Sequence, residues 1–359
     1  MHPLPSGAAQ PEVSVIVPAR NEEACLGACL ESLTGQQGVS FEIIVVDDGS
    51  ADCTSEIAAS FIGVKLIEAG PLPEGWSGKS NAMYAGAKQA RGEWLLFTDA
   101  DTVHLPGSLA RSLDEAKRYG AEMLSYSPAQ ELHGFAERAV MPVIFSDLAS
   151  TYKPREVSDP KSSAAAANGQ YLLITREGYD AVGGHAAIAT CLLEDVELAR
   201  AVKRSGRRIR FRFGGDAVRT RMYRSFAQLV EGWTKNLALL FKAPVRLAIK
   251  RLLEFLAMVC GLALVALSGS DVRLAVLAAV ALIYLNFLRR ILKAHAGAAS
   301  SALAVFGLPI FSYLLLRSKL YYKWRRSVTW KGRQYSTEVS SPQNERRTSA
   351  RPAGERWSI

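Results

Sequence analysis

Trp94-Leu95-Leu96-Phe97-Thr98-Asp99-Ala100-Asp101 runs an apolar strand directly into two carboxylates one residue apart. Carboxylates so placed can share a hard divalent cation, which keeps positions open for water and phosphate oxygens. Such a triplet is common by chance; its surroundings give it weight. Upstream, Val13-Ser14-Val15-Ile16-Val17 and Glu42-Ile43-Ile44-Val45-Val46 are short β-branched runs, the pattern of strands buried on both faces of a sheet. Between them, Ala24, Leu26, Leu30 and Leu33 recur at helical spacing and predict a helix over residues 22–33. A helix near residues 54–61, a strand at 64–67, a helix at 80–89, a strand at 93–98 and a helix opened by Pro106-Gly107 continue the alternation. Strands alternating with helices predict a doubly wound α/β sheet, which binds ligands at the carboxyl ends of its strands.

The polar clusters fall at those ends. Pro18-Ala19-Arg20-Asn21-Glu22 follows the first strand, Asp47-Asp48-Gly49-Ser50 the second, and Asp99-Ala100-Asp101 the fourth. One cluster is ordinary turn chemistry; three on one rim predict a binding edge. Neither the lysine and glycine spacing of a P-loop nor G-x-G-x-x-G is present, so the second cluster suits ribose hydroxyls or a pyrimidine N–H better than a phosphate cradle. Thr54, after Asp52, reads as a helix-opening cap. In Gly75-Trp76-Ser77-Gly78-Lys79 the glycines let backbone approach a ligand, and Lys79 near a helix start can meet a phosphate. Glu194-Asp195 opens a further helix, where the macrodipole favours acids and where a general base for an acceptor hydroxyl or carboxylic acid can sit.

Farther along, residues 135–149 have roughly helical spacing, residues 158–167 form a small-residue loop, and Phe226, Leu229, Val230, Trp233 and Leu237 mark an amphipathic helix. Three apolar segments follow at 252–268, 272–288 and 302–316, the third carrying Gly307 and Pro309. Lys242, Arg246, Lys250 and Arg251 precede the first, and Arg289, Arg290 and Lys293 follow the second; both groups favour the cytoplasm. A third crossing would export Arg317, Lys319 and Lys323. We therefore expect two full spans, a third membrane segment that does not cross, and a cytoplasmic tail. The expected divisions are a disordered N-terminus (1–12), a catalytic α/β domain (13–236), amphipathic and membrane-embedded helices (237–320), and a basic tail with a disordered end (321–359). Residues 1–11 show no basic stretch followed by an apolar run, so the catalytic part is expected on the cytoplasmic side of the cell's inner membrane.

The formal charge of +9 suits a polyanionic partner. Nucleic acid, anionic lipid and nucleotide diphosphate all fit that charge, but the basic residues thicken beside apolar stretches, which fits a membrane surface better than a nucleic-acid groove, for which the basic and aromatic run at 207–213 is the one candidate. Five cysteines without metal-ligand spacing suit a reducing compartment; Cys25 and Cys29, four apart, read as small apolar helix residues.

The residues quoted, with Gly183-Gly184, occur in the order seen in the inverting family 2 glycosyltransferases of GT-A fold, and residues 13–236 resemble that family. Gly75 to Lys79, Arg221-Met222-Tyr223, Glu231-Gly232-Trp233-Thr234-Lys235 and Trp330-Lys331-Gly332-Arg333-Gln334-Tyr335 resemble a narrower group, the membrane glycosyltransferases of carotenoid (diaponeurosporenoate) and hopanoid pathways. The resemblance implies a nucleotide-diphospho-sugar transferase with a mixed sheet. It implies that Pro18, Glu22 and Asp48 hold the nucleoside, that Asp99 lies against ribose and diphosphate, that Asp101 binds Mg²⁺ or Mn²⁺, and that Asp195 is the base, with Glu194 beside it. Arg221, Arg224 and Lys235 are expected to face the diphosphate, with Lys79. Processive synthases of the family carry Gln-X-X-Arg-Trp; Gln228-Leu229-Val230-Glu231-Gly232-Trp233 lacks it, so single-sugar transfer is expected. The expected reaction is transfer, with inversion, from a UDP-sugar, UDP-glucose first, to a terpenoid lipid acceptor. The rivals are a polyprenyl-phosphate sugar synthase, separated by whether the acceptor is phosphorylated, and a non-catalytic nucleotide-sugar-binding scaffold, which needs no base.

Overall fold

The computed structural model describes residues 10–336, apart from 268, 326 and 331–332. The disorder expected at the two extreme ends therefore lies, but for residues 10–12 and Ser336, outside the described residues. The chain alternates β1 (Val13–Ala19), α1 (Leu26–Thr34), β2 (Phe41–Asp47), α2 (Thr54–Ser60), β3 (Val64–Glu68), α3 (Gly78–Gln89), β4 (Trp94–Phe97), β5 (Thr102–His104) and α4 (Ser108–Arg118). It continues through β6 (Met123–Ser127), β7 (Ala129–Gln130), α5 (Phe135–Thr151), α6 (Pro154–Ser158), β8 (Leu172–Thr175), α7 (Arg176–Ala181), α8 (Glu194–Arg204), β9 (Ile209–Phe213) and β10 (Val218–Thr220). The C-terminal part adds α9 (Phe226–Leu240), α10 (Pro244–Leu267), α11 (Ser270–Ile291), α12 (Ala298–Leu320) and the hairpin β11 (Ser327–Trp330) and β12 (Arg333–Ser336).

Seven strands form one sheet in the order β3-β2-β1-β4-β8-β6-β9. The first four are parallel, as their continuous apolar runs require, and β8 runs antiparallel to both β4 and β6, which makes the sheet mixed. One face packs Leu26, Leu30 and Leu33 of α1 and Leu109 and Leu113 of α4 on Val15, Val45 and Leu96; the other packs Ala82 and Met83 of α3 on Ile16 and Ile44. At Gly86 an added Cβ would lie 2.5 Å from Ile16, so only glycine lets α3 settle that close to β1. A second, three-stranded sheet, β5-β10-β7, sets Thr102, Thr220 and Gln130 side by side across its strands.

Two local expectations shift. The first helix begins at Leu26 rather than Glu22, because the preceding backbone N–H groups are used between loops: Glu22 donates to Thr54 Oγ1 at 2.8 Å, and Asn21 donates to Ser50 Oγ at 3.0 Å with φ +52°. Cys29 is accordingly buried on α1 while Cys25 sits ahead of it. Thr54 thus ties two rim loops together instead of capping α2. The helix α3 starts two residues earlier than its apolar spacing suggests because Ser77 Oγ caps it, accepting from Ser80 N–H at 3.0 Å.

The third apolar segment also departs from expectation. Gly307 and Pro309 do not break it; α12 runs unbroken for 23 residues. Packing overrides propensity here. Leu308, Phe311, Leu314 and Leu315 are buried against α5 and α9, and a Cβ on Gly307 would sit 2.0 Å from the Ala139 carbonyl oxygen. Gly307→Ala should cost about 1–3 kcal/mol through overpacking against backbone that cannot rotate away. Thermal unfolding in detergent measures it, and Gly297→Ala, where the added methyl meets nothing within 4 Å, should change stability little.

By length and composition, two helices among the described residues suit a membrane crossing: residues 272–294, including α11, and residues 298–324, including α12. The segment in α10, expected to be the first span, is not one of them, because Arg246, Lys250, Arg251 and Glu254 occupy its first half. The two candidates differ in surroundings. The apolar residues of α10 and α11 are widely exposed (Leu253, Leu262, Leu267, Leu274 and Leu282 among them). Along α12 half of the apolar window is buried, and the exposed Phe306, Tyr313, Leu316, Leu320 and Trp324 form one stripe. Along its length α12 touches the catalytic half: the Phe306 and Phe135 rings lie 6.3 Å apart, and near its C-terminal end Ser318 Oγ donates to the Thr234 carbonyl at 2.7 Å. At the base of the α10–α11 hairpin, Arg251 donates to both carboxylate oxygens of Asp147 in α5, at 2.5 and 2.8 Å, and Glu254 joins Arg251 to Arg290.

Candidate active site

A cavity of about 670 Å³ opens at the carboxyl ends of β1, β2 and β4, where the doubly wound sheet predicts it. The parallel register sets Ala19 beside Asp47, so the loops after β1 and β2 leave the sheet together and deliver Pro18, Glu22 and Asp48 to the same wall. Asp48 is buried, and Arg20 Nη1 donates to its carbonyl at 2.7 Å. Asp99 and Asp101 face the same cavity from the end of β4, with Lys79 between them and the start of α8.

Lys79 is the hub. Its Nζ lies 2.7 Å from Asp99 Oδ1 and 3.0 Å from Glu194 Oε1, joining the carboxylate at the end of β4 to the pair at the start of α8. Burial alone lowers a lysine pKa, but the Asp99 and Glu194 charges outweigh it and hold Lys79 well above its ordinary value. Burial raises the Glu194 carboxyl, and Lys79 and Lys235 together bring it below the usual range. Asp195 goes the other way. Burial and then the neighbouring Glu194 charge push its carboxyl up, while Lys79 and N–H bonds from Gly169 (2.9 Å) and Val196 (2.8 Å) only partly restrain it. Two adjacent carboxyls with pKa values driven apart are the arrangement in which one stays ionised and the other exchanges a proton near neutral pH.

The loop bearing the two aspartates is held from beneath. Thr98 Oγ1 donates to the Gln170 carbonyl at 2.8 Å and Thr102 Oγ1 to the Asp99 carbonyl at 2.7 Å. His104 Nε2 lies 3.1 and 3.2 Å from these two hydroxyls, which are themselves 3.0 Å apart, so the three groups form one buried network. Complete burial lowers the His104 pKa to about 3 and keeps the ring neutral. Asp101 and Asp99 supply hard oxygen donors, the chemistry that Mg²⁺ and Mn²⁺ take, and they leave further coordination to water and phosphate. No group of three or more His, Cys, Asp and Glu side chains suited to a metal occurs among the described residues, so an ion there would take its remaining ligands from water or a bound substrate.

Of the basic residues, Arg221 pairs with Glu137 at 3.1 Å and Arg224 donates to the Ala24 carbonyl at 3.1 Å, while Lys235 lies near Glu194 and Lys79, its pKa lowered by burial. All three line the cavity. Arg210 and Arg212, in the run considered for nucleic acid, are committed to Glu115. The sequence did not single out Asn168-Gly169-Gln170, whose Asn-Gly pair is an ordinary turn signal. It also missed Phe145, Leu148, Tyr152, Phe213 and Leu240, which give the cavity an apolar wall. His295, in the turn after α11, stacks on Phe213 at 3.9 Å and joins that wall.

Residues 14–172 match the model of the family described as "Glycosyl transferase family 2". Over 345 residues the chain is 30% identical to the 4,4'-diaponeurosporenoate glycosyltransferase of Staphylococcus aureus (strain USA300), covering 90% of this chain and 88% of that one. The protein of the same name from strain MRSA252 is 29% identical with the same coverage. Among solved structures, a mannosyltransferase from Pyrobaculum calidifontis, in complex with GDP-mannose and Mn²⁺, shares the fold with a TM-score of 0.54, 17% identity and 90% coverage of both chains. With the mixed sheet, the acidic rim and these likenesses together, the chain belongs to glycosyltransferase family 2, is a glycosyltransferase, and has the GT-A fold.

Proposed function

We propose that the protein transfers a single sugar, with inversion, from a UDP-sugar (UDP-glucose first) to a lipid acceptor held in the membrane, a carotenoid or hopanoid-type terpenoid. One observation carries this: a single cavity is lined both by the carboxylates Asp48, Asp99, Asp101, Glu194 and Asp195 and by apolar side chains of α5 and α9. In this proposal Pro18, Glu22 and Asp48 hold the nucleoside, and Asp99, Lys79, Arg221, Arg224 and Lys235 surround ribose and diphosphate. Asp101, with Asp99 near it, would hold Mg²⁺ or Mn²⁺, which offsets the charge of the leaving diphosphate. Asp195 takes the proton from the acceptor oxygen as that oxygen bonds to the anomeric carbon, and the bond from that carbon to the diphosphate breaks on the opposite side. Glu194, kept ionised by Lys79, maintains the raised proton affinity of Asp195. The likeness to the diaponeurosporenoate enzymes supports a carotenoid-type acceptor. Membranes containing the protein, incubated with a panel of labelled nucleotide sugars and then extracted, should carry label in a neutral or carboxylic terpenoid lipid. Label confined to polyprenyl phosphate, or to no lipid, would sink this reading.

The exposed apolar hairpin α10–α11 supports insertion into the bilayer of the cell's inner membrane. From Ser270 to Arg290, α11 rises about 30 Å, the thickness of a hydrocarbon core. Because α12 packs along the catalytic half and exposes one apolar stripe, it suits the interface better than a crossing. The catalytic domain and tail then share the cytoplasmic side. A cysteine introduced at Ser336 should resist an impermeant thiol reagent in intact cells, and labelling there across a sealed membrane would place the tail outside.

A further inference from the structure

We propose that the buried ion network of Asp147, Arg251, Glu254 and Arg290 is a positioning device for the acceptor. It fixes α5 against the α10–α11 hairpin, so that the opposite face of α5 keeps its part of the cavity's apolar wall in place. The role rests on the lipid acceptor proposed above and adds what sets the wall that receives it.

Helical geometry is the first ground. Phe145 and Leu148 of α5, with Tyr152 just past its end, are spaced three and four apart, share one face and line the cavity. Val140, Val143, Ile144 and Asp147 are spaced in the same way, are all buried and form the other face. Asp147 lies two residues from Phe145, about 200° around the helix. One face of α5 therefore meets the cavity, while the other is held by α10, α11 and α12. A rotation of α5 by about 10° would move the cavity side chains, ~5–6 Å from its axis, by about 1 Å. Misplacement on that scale can cost about a hundredfold in rate.

Directional bonding is the second ground. The Arg251 guanidinium donates through Nε and Nη2 to both Asp147 oxygens, at 2.8 and 2.5 Å, and through Nη1 to Glu254 at 2.9 Å. Arg290 donates to both oxygens of Glu254, at 3.0 and 2.8 Å, and its Nε lies 3.9 Å from Asp147. Two arginines and two carboxylates thus balance across three helices. The packing of α5 on α12 is by contrast apolar, with Val140, Ile144, Leu308 and Phe311 in one buried cluster. Apolar contact has no preferred direction and lets a helix turn on its neighbour, whereas a two-pronged guanidinium–carboxylate pair sets one orientation. Desolvation offsets most of the attraction within a buried ion pair, so the network is a poor source of stability and a good source of fixed geometry.

The test uses the full chain in detergent with UDP-glucose and, as the probe acceptor, 4,4'-diaponeurosporenoate, measuring kcat, both KM values, UDP-glucose affinity and melting temperature. Replacing the whole network by apolar residues of similar size (Asp147→Leu, Arg251→Met, Glu254→Met and Arg290→Met) should leave the melting temperature equal or higher. The acceptor KM should rise about tenfold or more while UDP-glucose affinity stays the same. Arg251→Lys keeps the charge and loses the fork; it should raise the acceptor KM with the same selectivity, and it decides alone if the fourfold variant does not fold. An acceptor KM equal to that of the wild type, or an equal loss of UDP-glucose affinity, would overturn the positioning role and leave the proposed reaction standing. A wild type that binds UDP-glucose yet transfers nothing to this polyene acid would remove the acceptor reading of the wall, and this role with it.

Discussion

Asp195→Asn is expected to lower turnover by about a hundredfold or more, the usual contribution of a positioned base, while donor affinity stays near that of the wild type. The proposed role needs the carboxylate form, and burial and Glu194 push the Asp195 pKa up to about 6. A base with a raised pKa loses function as pH falls through that value. The kcat/KM of the wild type should therefore be level above about pH 6 and fall about tenfold per unit below it, whereas the variant's residual rate should lack that limb. Both Asp195 oxygens accept backbone N–H bonds, and asparagine can replace only one of them. Melting temperature is measured alongside: equal losses of donor affinity and turnover in a destabilised protein would make Asp195 structural.

The second large effect is at Asp101. Asp101→Ala should abolish activity and metal-dependent UDP binding together, because Asp99 is already engaged by Lys79 at 2.7 Å and cannot alone replace the lost oxygens. Titrating Mn²⁺ against the protein with UDP present reads this without turnover. Asp48→Ala, by comparison, should weaken UDP binding while keeping the Mn²⁺ requirement. Full turnover of Asp101→Ala in the presence of a chelator would remove the metal from the proposal.

Much of the fold was legible in the sequence because parallel strands write themselves as continuous apolar runs. Val13 to Val17, Glu42 to Val46 and Trp94 to Phe97 all became neighbouring strands of one sheet. The rim was legible for the same reason: once the strands are in order, whatever follows each must lie at one edge. Helix α8, with its acidic first turn, was also readable from local pattern.

What lies between those elements was decided in three dimensions. Nothing in the spacing of residues 79, 99 and 194 announces that one ammonium joins two carboxylates, and nothing in an Asn-Gly turn announces that it bonds both Thr98 after β4 and Asp195 in α8. Local propensity misled where tertiary partners outweighed it. Residues 21 to 23 are tied to the next loop instead of extending α1, and Gly307 with Pro309, ordinary helix breakers, lie inside an unbroken helix. There the absent side chain of glycine is what lets two helices touch backbone to backbone. The sequence by itself determined the first four strands, which edge is acidic and which helices are apolar, since each depends on residues a few positions apart. Only the tertiary structure decided how the carboxylates are paired, where the apolar wall meets them and which face of α12 is covered, because those depend on contacts between residues far apart in the chain.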